Sequence, residues 1–217
     1  MKIAVLSGFL VSIASILPAL SAGASVTAIT IEQLNKAVPS RASDSCCVSV
    51  STPSECAPNT RAVTAINHAI SKYGVTSTGE IVALISLMAY ESADWQYNVN
   101  HYPGRPGQGT KAMLMYDFIE KYAQQVHQTE ATRVLISGGG SDSAKNSVRE
   151  LVLNDDDSFG AAFWYLVTQA PGYHNNPAKL RAGNADDFKE YVVSGVNAGW
   201  DDKRMSIWSQ VNGAFHG

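Results

Sequence analysis

Charge is scarce in this sequence and carries no pattern. Asp, Glu, Lys and Arg together make up 16% of the 217 residues, and the formal net charge is -3. A nucleic-acid footprint needs a clustered basic face, and no Lys/Arg run supplies one, so no nucleic-acid partner is expected. No second long apolar segment follows the N-terminal one, which argues against a membrane span in the rest of the chain. The five histidines come without a Gly-x-Ser-x-Gly elbow, so Ser-His-Asp chemistry has no local support. Gly138-Gly139-Gly140 lacks the Lys-Ser/Thr of a phosphate loop and reads as a connector. Cysteine is confined to Cys46, Cys47 and Cys56. No second cysteine pair or His-x3-His spacing completes a zinc site, so neither a metal nor a cofactor is expected.

What is present begins with Met1-Lys2 and an apolar stretch from Ile3 to Leu20. Ala22-Gly23-Ala24 follows as a small-residue cleavage pattern, so residues 1–24 read as a secretory signal peptide and the protein as secreted. Pro18 and three serines interrupt the run, which disfavours a membrane anchor. Residues 25–58 are rich in Ser, Thr, Pro and Ala and read as an N-terminal arm or propeptide, with one apolar-periodic piece over 29–38. Export makes a disulfide reasonable, pairing Cys56 with either Cys46 or Cys47.

Residues 59–217 form one mainly α domain on the helical spacing of their apolar residues. The first helix starts with Asn59 as N-cap and ends at Gly74. Ser77-Thr78-Gly79-Glu80 reads as a capping box opening the second, with Ile81, Leu84, Ile85 and Met88 as its apolar stripe. Further helices are expected from about Thr110 to Val126, Glu130 to Ser137, Ala144 to Leu153, Ser158 to Gln169, Ala185 to Val193 and Asp202 to Phe215. Val48-Ser49-Val50 offers a short strand. Asp155-Asp156-Asp157 suits a helix N-terminus.

Helical periodicity places Glu91 in the last turn of the second helix, beside Leu84, Leu87 and Met88. Taken alone, it reads as an ordinary helix-end residue turned to water. A helix C-terminus and apolar neighbours both disfavour a carboxylate, which predicts a raised pKa and a proton available to a leaving oxygen. The next residues, Asp94 to Tyr102, gather Trp95, Tyr97, Asn98, Asn100, His101 and Tyr102 into one loop. Aromatic faces stack on sugars and amides bond their hydroxyls, although such aromatics also serve as core anchors.

Tyr90-Glu91-Ser92 at a helix end resembles the Glu-Ser pair of goose-type lysozymes and lytic transglycosylases. Tyr102-x-Gly104-Arg105 with Gly107-Gln108-Gly109 resembles the Gly-rich segment of plant-type chitinases and related lysozyme-like folds. Ala161 to Tyr165 with Thr168, Gln169 and His174, and Gly195 to Trp200 followed by Arg204, are similar to later chitinase motifs in the same order. Over about residues 80 to 215 the combination resembles secreted fungal lysozyme-like muramidases.

The resemblance implies a lysozyme-like domain, with room for a small β element, that hydrolyses β-1,4 bonds of peptidoglycan. Glu91 would be the general acid, and Asn197, Gln108, Thr110 and the aromatic loop would bind substrate. Two departures stand against a chitinase: Met113-Leu114-Met115 is apolar where the family brings a Gln, and no second Glu lies between Glu91 and Glu120. Asp94 is the nearest candidate for a second catalytic carboxylate, and it equally fits a helix-end cap or a contact with Arg105. The expected partner is a cell-wall polysaccharide, peptidoglycan before chitin, bound by a monomer. The alternative is a non-catalytic binder of the same polymers, or of a protein, on the same scaffold. The apolar Met113 to Met115 segment motivates it, and the acidic net charge favours it, because bacterial walls are anionic and many wall lytic enzymes are basic.

Overall fold

The computed structural model describes Val26 and residues 28–216 of the chain. The signal segment over 1–24 lies outside the described residues. Ten α-helices account for most of what is described: α1 (Ile31–Ala37), α2 (Asn59–Tyr73), α3 (Thr78–Glu91), α4 (Tyr116–Val126), α5 (Gln128–Gly138), α6 (Asp142–Glu150), α7 (Asp155–Thr168), α8 (Pro171–His174), α9 (Ala185–Glu190) and α10 (Asp202–His216). The protein is mainly α. The β content among the described residues is two isolated antiparallel bridges, Val99 with Gly109 and Gly109 with Leu114.

α3 is the hub. Every residue from Thr78 to Ala89 is buried, which is the signature of a helix enclosed on all sides rather than one with a solvated face. α10 lies along it, α1 packs on α10, and α7 runs against α2. α7 is built in the same way. The side chain of Asn154 caps it by accepting from the Asp157 amide, and Asp155, Asp156 and Asp157 occupy the first turn, where the helix dipole favours negative charge. Its buried length from Phe159 to Leu166 then fills the core.

The piece over 29–38 is part of this core, since Ile29, Leu34, Ala37 and Val38 are all buried. α1 carries a complete capping box between Thr30 and Gln33.

Several local expectations are corrected. The helix expected from Thr110 starts at Tyr116, because Thr110 and Met113 hold positive φ of 70° and 48° and Gly109 pairs with both neighbouring segments. The capping box at Ser77 does not form. Ser77 makes no side-chain cap bond, and Glu80 is drawn into the core by His174 at 2.9 Å. Asn59 is the first helical residue rather than the cap, with Pro58 before it. Its amide instead ties α1 down through Leu34 O and Val38 O. No strand forms at 48–50, where a 3-10 turn over Asp44–Cys47 leads into a further turn. The helix expected to Val193 changes pitch at Tyr191, and a π-helical turn covers Tyr191–Gly195.

Candidate functional site

The end of α3 is fastened by its own sequence. Ser92 Oγ donates to Met88 O and accepts from the Trp95 amide, folding the chain back under the helix. Ala93, Asp94 and Trp95 then take φ of 50°, 56° and 64°. Three successive non-glycine residues in the left-handed region cost on the order of 1–2 kcal/mol each. The turn persists because its surroundings over-determine it. Trp95 is buried with its indole N–H on Asn59 and its ring edge-on to Phe159. The buried guanidinium of Arg41 donates to the carbonyls of Ala93 and Asp94 and to Gln96 Oε1.

Glu91 meets a cation here rather than an apolar wall. Its Oε1 accepts from Arg204 Nη2 at 2.6 Å, with the Arg204 side chain 5% exposed and that of Glu91 23%. The guanidinium lies 3.7 Å from the centre of the Tyr90 ring, a stacked cation–π arrangement. The Tyr90 hydroxyl donates to Asp201, which also caps the start of α10 through the Arg204 amide. That hydrogen bond raises the Tyr90 pKa and lowers that of Asp201. Asp94 Oδ2 accepts from Ser40 at 2.8 Å, whereas Arg105 turns to Met115 Sδ. Beside this turn a cavity of about 320 Å³ is lined by Arg41, Asp94, Gln96, Lys203, Ile207 and Gln210, among others.

The loop that follows is held from within. Glu55 Oε2 accepts the amides of Asn98 and Val99 at 3.0 and 3.1 Å, and its Oε1 pairs with His101 at 2.7 Å. Asn100 Oδ1 accepts the amides of Gly104 and Arg105, and Asn146 accepts that of Gly107. Beneath them lies Lys111, 1% exposed, whose Nζ donates to the carbonyls of Glu55, Trp95 and Tyr97 at 2.6, 2.9 and 3.3 Å. Burial lowers its pKa to about 7, opposed by the carboxylates of Asp155 and Glu55.

The residues singled out from sequence therefore divide by exposure. Trp95, Asn98, Gln108 and Thr110 are buried. Asn98 donates to Leu153 O and Gln108 to Met113 O, and Asn98 Oδ1, Gln108 Oε1 and Thr110 Oγ1 find no partner among the described residues. Tyr97 and Asn100 are half-buried and His101 is exposed. Tyr102 is 92% exposed, with Met115 at 44%. Asn197 lies exposed with φ of 58° on the turn leading to α10. Sequence reasoning missed Glu55, Arg41 and Lys111. Each acts on partners far along the chain or through main-chain atoms, which leave no side-chain pattern to read.

No protein-family model matches the chain, and no solved structure matches it. A stretch of 97 residues, 44% of the chain, is 40% identical to a bifunctional dioxygenase (DOX)-epoxy alcohol synthase (EAS) of Fusarium oxysporum. The match covers 8% of that protein's length. This corrects the expectation of a glycosidase: the activities named for the matched protein are those of a dioxygenase and an epoxy alcohol synthase, not glycoside hydrolysis.

Proposed function

We propose that this chain is a secreted, non-catalytic binder of cell-wall polysaccharide on a lysozyme-like scaffold, with the loop from Tyr97 to Arg105 as its contact surface. The observation that carries this reading is Tyr102, a 92% exposed aromatic on a loop fixed through Glu55 and Asn100. An exposed aromatic on a pre-ordered frame offers a sugar ring a stacking face at little entropic cost. His101, Arg105 and Asn100 supply polar groups around it. Glu91 is engaged by Arg204 and Asp94 by Ser40, so both acids of this corner serve the framework.

The apolar N-terminal run and the Cys47–Cys56 disulfide are compatible with export. The test is co-sedimentation of the full chain with insoluble peptidoglycan and, separately, chitin. Retention is expected on peptidoglycan, weakened at least about tenfold by Tyr102→Ala, as the loss of one central aromatic anchor implies. Retention on neither polymer, or equal retention of the variant, would overturn the reading.

A further inference from the structure

The three cysteines are brought together by the fold as well as by the sequence. Cys47 and Cys56 are joined, and Cys46 is free and half-buried. Cys46 Sγ lies 3.5 Å from Cys47 Sγ, and all three sulfurs lie within 4.8 Å of one another. Such a cluster could serve exchange or chelation. Exchange needs the attacking sulfur in a row with the bonded pair, whereas these three form a compact triangle. Thiolates sharing one metal at about 2.3 Å each stand on the order of 4 Å apart; Cys46 already lies 3.5 Å from Cys47, and the Cys47 and Cys56 sulfurs, 2.03 Å apart while bonded, separate once the bond is reduced.

Two cations flank the cluster. Arg41 donates to the carbonyl of Cys46 and Arg61 to that of Cys56. They anchor the backbone on both sides independently of the disulfide. The ligand set is three sulfurs with no imidazole or carboxylate in the group. That number falls short of the four ligands structural zinc takes, and soft thiolates suit Cu(I).

We propose that reduction converts this triad into a three-thiolate binding site for a single Cu(I) ion. A dithiol delivers two electrons and two protons to the Cys47–Cys56 bond and itself closes to a cyclic disulfide. Cys46, Cys47 and Cys56 then release their thiol protons to solvent as their sulfurs bond to the metal. No electron passes to or from the copper.

The test uses the full chain, reduced with a dithiol, freed of it anaerobically, and titrated with Cu(I) held by the coloured chelator bicinchoninate. The reduced protein should withdraw one equivalent per chain. Cys46→Ser, which keeps the native disulfide while it folds, should then hold copper at least about tenfold more weakly. Oxidised protein should withdraw none. No uptake by the reduced chain, equal uptake by the oxidised one, or equal affinity in Cys46→Ser would each overturn the proposal. The urea midpoint of the reduced chain provides the second readout. It should rise with Cu(I), because metal bound to the native state stabilises it, and uptake without that rise would place the copper on the unfolded chain and sink the site.

Discussion

At the scale of single residues, the ammonium of Lys111 sits among three backbone carbonyls, and burial draws its pKa down to about 7 from the ordinary 10.5. Between those two values the unfolded chain binds more protons at this position than the native one. Stability therefore rises with pH across that window, by at most about 1.4 kcal/mol per unit. Lys111→Met should remove this slope, measured as the difference between urea unfolding at pH 6.5 and 8.5. The same variant leaves the carbonyls of Glu55 and Tyr97 without this donor, while that of Trp95 keeps the Ala57 amide, and should cost about 3 kcal/mol at pH 7. A variant that keeps both the slope and the stability would show that the Glu55 and Tyr97 carbonyls are solvated by other means.

Elements show the same economy on a larger length. The left-handed turn after α3 contains Ala93, exposed and with φ of 50°. Glycine adopts that conformation without the Cβ clash, so Ala93→Gly should stabilise the protein by up to about 1 kcal/mol, less the entropy glycine adds to the unfolded chain. Thermal unfolding would check it, and a fall in midpoint would show that the turn is unstrained. At the other end of α3, Gly79 faces the chain over 180–183, and a Cβ there would lie 2.3 Å from Leu180 O and 2.8 Å from Gly183 Cα. Both are backbone atoms, so Gly79→Ala should destabilise by about 2 kcal/mol despite the better helix propensity of alanine.

Helix existence was legible in the sequence, as α2, α3, α7 and α10 illustrate; in α2 the apolar spacing is what burial selects, whereas α3 and α7 are apolar nearly all round because the core encloses them. The capping residues were not all legible. Glu80 three residues after Ser77 has the pattern of a box, yet His174 and Arg181 lie against it, and burial still raises its pKa. The candidate site was legible as a loop and not as a geometry. Nothing in residues 90–92 announces Arg204, which reaches Glu91 across 113 positions.

For the molecule as a whole, the quantity that bears on function is its net charge of -3, with no Lys/Arg run in the sequence. An anionic wall polymer repels such a protein over the Debye length, about 30 Å at 0.01 M salt and about 8 Å at 0.15 M. A neutral chitin surface exerts no such force. If the loop at Tyr102 binds sugar rings by stacking, its short-range contacts change little with salt, and only the long-range repulsion does. The fraction of protein retained on peptidoglycan should therefore rise, about twofold or more, between 0.01 and 0.15 M sodium chloride, while retention on chitin shifts by less. Retention on peptidoglycan that falls with salt would reverse the argument. Attraction by Arg105 on the loop would then outweigh the charge of the whole, and Arg105→Ala rather than Tyr102→Ala would cause the larger loss.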